Sequence, residues 1–514
     1  MLIEADITAQ AAAAAGDTRP HAVVIGAGFG GLSAAMRLGA RGYRVTVLDR
    51  LDAPGGRGSA VVRDGHRFDL GPTIVTVPQV LEDLWCATGR DFHKDVDLRP
   101  IDPFYEIRWP DGARFEMGPD ENRVRQQIAQ MAPGDLAGYD RFLNDARVRY
   151  EFGFEGLGRR PLHEFLKFCL TLPRFGILRA DRSILTHARR RFRDPRLQMA
   201  FSFHPLFIGG DPTRVTSIYA LVSHLEKEFG VHYAMGGTVA IARAMVRVIE
   251  AQGGAVIGMT TVDEITTKAG RATGVRLEGG LDIAADIVVS NADVGHTYGR
   301  LLRRHVRRRW TDGWLNSRRW SMGLFVWYFG TKGTRGMWGD VGQHTIVNGP
   351  RYEGLLRDIF RRGHLADDMS LYIHRPSAID PSAAPEGDDT FYALSPVPHR
   401  GLSDTDWTTE TARYRTKVLA ELEKVMPGIG ARLGPEYILN PEGFETRYLS
   451  PHGAGFSLEP RILQSAWFRP HNISEEVDRL FIVGAGTHPG AGLPGVITSA
   501  EVTDKTIPAA GDLR

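Results

Sequence analysis

The stretch that most constrains how this chain can fold runs from His21 to Asp49. Ala22-Val23-Val24-Ile25 is a short β-branched run of the kind that forms a strand buried on both faces. It leads into Gly26-Ala27-Gly28-Phe29-Gly30-Gly31, then into Leu32 to Leu38, of helical composition, and then into a second apolar run, Arg44-Val45-Thr46-Val47-Leu48. Strand, glycine turn, helix and strand in that order predict a βαβ unit and a parallel sheet. Gly26 permits the tight turn, Gly28 lets backbone approach a pyrophosphate, and Gly31 allows close helix–strand packing. The helix start offers free N–H groups and the positive end of the helix dipole to phosphates. Asp49 lies 18 residues past Gly31, where an acid can bind ribose hydroxyls and would repel the 2′-phosphate of NADP. Arg50 beside it is counted with the cofactor contacts.

Leu51-Asp52-Ala53-Pro54-Gly55-Gly56-Arg57 follows at once. Its glycines make a tight turn, and Arg57 presents planar donors that can reach a phosphate. After a Rossmann βαβ unit, this resembles the second flavin motif of the amine-oxidase-like FAD superfamily. The resemblance implies FAD as cofactor, with Gly56 and Arg57 at the diphosphate and flavin end. Short strands at 255–257, 261–265, 272–277 and 285–292 come in that superfamily's order, and there the backbone at Val262 would face the adenine. Near the C-terminus, the strand Leu480-Phe481-Ile482-Val483 runs into a glycine-rich segment from Gly484 to Val496, and a helix is expected from about Val496. A helix N-terminus aimed at the flavin ring would stabilise the negative charge that develops on reduction. Gly484, Gly486, Gly495 and Val496 are therefore candidate contacts, with Pro494 suited to a helix start.

One cofactor would tie the first and last segments into one domain. The expected fold class is α/β: a Rossmann-like FAD-binding domain in three pieces, 20–95, 225–295 and 450–514. A discontinuous substrate and membrane-contact domain takes 96–224 and 296–449, and residues 1–19 read as a flexible leader.

Between these anchors the resemblance narrows. Gly65-His66-Arg67-Phe68-Asp69-Leu70-Gly71-Pro72-Thr73-Ile74 and Phe201-Ser202-Phe203-His204-Pro205-Leu206-Phe207-Ile208-Gly209-Gly210 are similar to segments of the bacterial phytoene desaturases of carotenoid synthesis. So are Gly230-Val231-His232-Tyr233, Ser290-Asn291-Ala292-Asp293 and Trp467-Phe468-Arg469-Pro470. The likeness runs from about His21 to the last helix. It implies phytoene as substrate, and successive double bonds giving phytofluene, ζ-carotene, neurosporene and sometimes lycopene. It implies hydride transfer to FAD, loss of a proton from the neighbouring carbon, and reoxidation by oxygen or a quinone. It also implies an acid and an Arg in this part of the substrate domain, which makes Glu164 and Lys167 the candidate catalytic residues, with Lys in place of the family's Arg.

The residues can be asked whether they suit such a substrate. A hydrocarbon offers no hydrogen-bond handle, so its site should be a long apolar tunnel. Phe201, Phe203, Leu206, Phe207 and Ile208 are candidate lining, as are Met322, Leu324, Val326 and Tyr328, which alternate with Phe325, Trp327 and Phe329 on a strand. Phytoene resides in a bilayer, and no stretch approaches the ~18 apolar residues of a span. Surface attachment is expected instead, on the cytoplasmic face of the inner membrane. Leu162 to Arg179 mixes large apolar residues with Lys167, Arg174 and Arg179, the composition of an interfacial helix, which Pro173 would interrupt. The runs Arg189 to Arg191 and Arg303 to Arg309, with Trp310 and Trp314, could reinforce it. Glu164 and Lys167 are three apart and would share a helix face.

Composition excludes little else. Lys+Arg 63 against Asp+Glu 61 leaves a charge of +2, with no reason to expect nucleic acid. Two cysteines, Cys86 and Cys169, form neither a metal-ligand spacing nor a disulfide framework, consistent with a reducing compartment. Competing readings are a flavin oxidase acting on amines or porphyrinogens, a later-step carotenoid desaturase or isomerase, and a non-catalytic prenyl-binding escort protein. Arg57 and the C-terminal glycine loop argue against the escort.

Overall fold

The computed structural model describes residues 16–513, so all but the last four residues of the expected leader lie outside it. Five parallel strands form the first sheet: β1 (His21–Ile25), β2 (Arg44–Leu48), β3 (Ala255–Ile257), β4 (Ile287–Ser290) and β5 (Leu480–Ile482), in the order β3-β2-β1-β4-β5. All five fall within 20–95, 225–295 and 450–514. β1 is buried along its whole length because both faces are covered. One face carries α1 (Phe29–Ala40), α2 (Thr238–Ala251) and α3 (Leu493–Asp504), whose Leu38, Met245 and Ile497 share one core. The other face carries a three-stranded antiparallel sheet and the Tyr298–Trp310 region. The chain leaves β1 toward β2 on one side, while β4 and β5 extend the sheet on the other. The crevice beyond the carboxyl ends of β1 and β4 is thus a topological switch point, where parallel sheets of this kind bind ligands.

A second sheet has seven strands, in the order 433–439, 323–331, 389–397, 371–374, 344–347, 105–108 and 114–117. The strand Gly323–Thr331 is buried throughout, and its pleat divides its side chains. Phe325, Trp327 and Phe329 pack with Tyr414, Val418 and Leu422 of the helix Trp407–Val425. Leu324, Val326 and Tyr328 point the other way, into a cluster with Leu70, Tyr392 and Phe444. The buried indole N–H of Trp327 donates to Glu436 Oε2 at 2.8 Å, the partner that such a group needs.

The segment expected as one interfacial helix folds as two short ones, Phe165–Cys169 and Leu172–Ile177. Pro173 sits in the first turn of the second, where its missing N–H costs nothing. The arginine runs are not a free cationic surface. Arg189 pairs with Glu353, Arg191 with Asp145, Arg303 with Asp263, Arg304 with Glu264, Arg307 with Asp312 and Arg309 with Glu475. Trp310 is fully buried rather than a surface anchor, its N–H held by Glu475. Among the described residues, no helix is long and apolar enough to cross a membrane.

Candidate functional site: a glycine cradle opening into an apolar chamber

The switch-point crevice is one end of a cavity of about 600 Å³. Gly28 precedes α1 as its N-cap and has no side chain, which leaves the first-turn N–H groups to the cavity that Gly28, Phe29 and Gly30 line. Gly26 has φ +95°, a conformation that suits glycine and turns the chain out of β1. A Cβ at Gly31 would stand 2.0 Å from the Gly26 carbonyl oxygen, so helix and turn touch there. Ala27 backs the turn, and its carbonyl accepts from Gly55 N–H at 2.8 Å, which stitches the second glycine turn onto the first. Gly56 and Arg57 then face the cavity. Arg57 donates to Ser450 Oγ and lies over the Tyr448 ring at 5.6 Å. Burial pulls its guanidinium below the ordinary value, and the nearby Asp293 carboxylate pushes the other way.

Asp49 lines the same end of the cavity. Its two oxygens accept from Ala27 N–H at 2.6 Å and from Leu51 N–H at 2.8 Å, while burial pushes its pKa up. Each carboxylate oxygen has a second lone pair, so the acid can hold the turn and still accept from a sugar hydroxyl. Arg50 and Val262 line the wall beside it, Arg50 donating to the Arg447 carbonyl at 2.5 Å. Gly484, Gly495 and Val496 close the far side. The last helix begins at Leu493, three residues before the expected Val496, because Gly492 at φ +95° supplies the turn and Pro494 fits the first turn. Gly31, Ala27 and Gly486 stand behind the wall rather than in it; a Cβ at Gly486 would meet the Val294 side chain at 2.6 Å.

The same cavity continues into an apolar chamber lined by Phe203, Leu206, Phe207, Met322, Leu324 and Val326, with Ile208 and Tyr328 also on the wall. Phe201 packs instead in the core with Phe115, Phe142 and Phe192. Cradle and chamber form one continuous space.

The family profile of the flavin containing amine oxidoreductases matches residues 29–502. The chain is 65% identical over 491 residues to the neurosporene-forming phytoene desaturase of Cereibacter sphaeroides, covering 95% of each. It is 60% identical to that of Rhodobacter capsulatus, covering 95% of this chain and 94% of the relative. The chain belongs to the phytoene desaturase family. Among solved structures, an oxidoreductase from Methanosarcina mazei superposes with a TM-score of 0.62 at 17% identity, over 93% of this chain and 98% of that one, which bears on the fold alone. The protein is an FAD-dependent oxidoreductase. The cradle fits that cofactor: side-chain-free backbone at the pyrophosphate position, an acid at the ribose position, and two helix N-termini.

Two expected residues are not brought to this site. Glu164 is the N-cap position of Phe165–Cys169, and Lys167 donates to its Oε1 at 2.6 Å. Both are exposed and stand outside the cavity wall. They do share a helix face, but it is the face turned to solvent. Lys167 holds the Glu164 carboxyl below its usual range.

Asn291 is the functional residue that sequence reasoning left without a role. Its N–H donates to the Ile25 carbonyl at 2.8 Å, which places its amide between the glycine turns. A Cβ at Gly28 or Gly30 would come within 2.7 or 2.6 Å of that amide, and one at Gly484 would meet Asn291 Oδ1 at 2.6 Å. The available signal was its position at the carboxyl end of a strand next to β1. Gly71 was also passed over: a Cβ there would lie 1.9 Å from the Arg57 carbonyl oxygen.

Proposed function

We propose that the protein is the phytoene desaturase that its relatives' names describe, forming neurosporene at a membrane surface. The carrying observation is the continuity of an apolar chamber with the FAD cradle. Bound FAD supplies the hydride acceptor. The chain's own residues exclude water and hold a flexible hydrocarbon along the wall formed by Leu324, Val326 and Phe207. A polar substrate such as an amine would find few partners on that wall.

The membrane reading is supported by where the chamber approaches the surface. Phe175 and Ala466 line the cavity. They belong to the same two segments as the exposed Leu172 and Ile177 and the exposed Ile462 and Leu463, and Trp467 bridges the segments by packing on Phe165 at 4.8 Å. Leu166, Leu170 and Ile177 are each about four-fifths exposed, an apolar patch that wants a cover. Phytoene would pass from the lipid into the chamber without crossing water. The attachment is peripheral, on the cytoplasmic face of the inner membrane, with oxygen or a quinone reoxidising the flavin.

Product analysis of the FAD-loaded protein with phytoene in liposomes tests this. Neurosporene as the end product is expected; lycopene as the only product would reject the chain length of the reaction, and unchanged phytoene would reject the reaction. Substituting Leu166, Leu170 and Ile177 together by Glu should abolish liposome co-sedimentation while flavin content stays at the parental level. Parental sedimentation of that variant would remove the patch as the attachment site.

A further inference from the structure

A hydrocarbon needs no polar partner, yet one side of the chamber carries hydroxyls that are backed by a pair of imidazoles behind the wall. Thr73, Tyr372 and Tyr392 line the chamber, Thr73 two residues beyond the Gly71 that packs on Arg57. Thr73 Oγ1 is 3.1 Å from the Tyr392 hydroxyl and 3.3 Å from the Tyr372 hydroxyl. The Tyr372 hydroxyl is 2.6 Å from His344 Nδ1, which is 3.3 Å from His374 Nδ1. The two histidines face each other across paired strands and stack at 4.9 Å, both fully buried. His374 Nδ1 lies 3.2 Å from the Gln343 carbonyl, so that nitrogen carries the hydrogen and donates. His344 Nδ1 is then free to accept from Tyr372. Burial holds His344 down to about 3 and His374 well below the ordinary value, so both rings are neutral. Among the described residues, neither Nε2 atom has a hydrogen-bond partner, a costly burial that calls for a reason.

We propose that Tyr372, backed by His344, takes up the proton that leaves the hydrocarbon at each dehydrogenation, with Thr73 and His374 as positioning residues. The inference rests on the desaturase reading above. Once a hydride has gone to FAD, the substrate is a cation. The C–H bond on the neighbouring carbon breaks, and its electron pair becomes the new C=C bond. The proton goes to the Tyr372 oxygen while the Tyr372 hydroxyl proton passes to His344 Nδ1. Positive charge moves from substrate to imidazolium inside one enclosure, so no additional buried charge is created. A C–H beside a carbocation is acidic enough for so weak a base, and a weak base gives its proton up again before the next round. The proton leaves by the reverse step through Tyr372, and the oxidant that takes the hydride from the flavin takes the proton too, so each cycle removes two hydrogens in all.

The test follows anaerobic loss of flavin absorbance in the FAD-loaded full chain given phytoene in phosphatidylcholine vesicles. Tyr372→Phe and His344→Ala should bleach about a hundred-fold more slowly than the parent, within the range for loss of a general base, at unchanged flavin content per chain. Millimolar imidazole should speed His344→Ala at least several-fold and leave Tyr372→Phe unaltered. Parental bleaching by Tyr372→Phe, or a slow His344→Ala that ignores imidazole, would overturn the relay. Variants that emerge without flavin would assign these residues to cofactor binding and overturn it as well. Should His344→Ala not fold, Tyr372→Phe, which removes a single oxygen, decides alone. A parent that does not bleach sinks the desaturase reading itself, whereas a bleaching parent with unaffected variants sinks only the relay.

Discussion

A methyl group added at Gly31 would stand 2.0 Å from the Gly26 carbonyl oxygen, and both atoms belong to backbone that cannot swing aside. Gly31→Ala must therefore push α1 away from the turn that carries the pyrophosphate position, at about 1–3 kcal/mol. Flavin retained per chain after gel filtration should fall roughly ten-fold or more, while the second sheet, far in sequence, keeps its fold; full flavin content would show that the turn yields. His21 makes a pH prediction. Its ring is buried, with Nδ1 2.8 Å from the Ala284 carbonyl and Nε2 2.9 Å from Thr46 Oγ1. Burial, aided by Arg44, lowers its pKa to about 4. The unfolded chain thus binds the proton first, and the stability this neutral ring contributes is intact above about pH 6.5 and is lost as pH falls toward 4. His21→Gln, which cannot titrate, should flatten that part of the melting-temperature profile by an amount equivalent to about 3 kcal/mol at most. Identical slopes in parent and variant between pH 6.5 and 4 would contradict it. Glycines such as Gly31 were legible in the sequence because spacing along one chain segment encodes their role. Asn291 was not, since its place at the end of a strand is local but its amide meets the glycines only after β4 pairs with β1.

A single strand illustrates what sequence can and cannot say about elements. The alternation from Met322 to Phe329 separates two faces at the period of a pleat, and the structure puts one on the chamber and the other on the helix Trp407–Val425. Neighbouring substitutions should therefore fail differently. Phe325→Ala opens a hole in a closed core and should cost about 3–5 kcal/mol, read as a fall in urea midpoint. Leu324→Ala enlarges a space that is already open, so its stability loss should be the smaller one, and its effect should appear as an altered ratio of phytofluene, ζ-carotene and neurosporene. Equal destabilisation with an unchanged product ratio would mean that the chamber face is ordinary core. Phe201 shows the limit of the same reasoning. It stands in a run with Phe203, Phe207 and Ile208, but it follows the helix Pro195–Ala200, and its ring turns into the cluster around Phe142. Glu164 and Lys167 show another: spacing put them on one face, and only the tertiary setting reveals that this face looks outward.

At the scale of the whole molecule, the cofactor site is made from backbone that is hundreds of residues apart. Gly28 and Gly30 come from the first βα turn, Asn291 from the end of β4, and Gly484 to Val496 from the segment between β5 and α3. Only the chain itself joins these pieces, and β4 lies between β1 and β5, so the turns meet only if the sheet is correctly ordered. A ligand that touches all of them binds the folded chain and not the unfolded one, and it stabilises by mass action, by about 2.7 kcal/mol at a hundred times its dissociation constant. Spread over the unfolding entropy of a chain this long, that is a rise of about 3 °C in melting temperature if the molecule unfolds as one unit, and more if the parallel sheet unfolds separately. The shift should grow with the logarithm of added FAD. It should fall by about half or more in Gly31→Ala and shrink when Arg57 is replaced by Lys, whose point charge cannot reproduce the planar fork held by Ser450 and Tyr448. An FAD-independent melting temperature in the flavin-free parent would mean that the distant glycine turns are not held by one ligand.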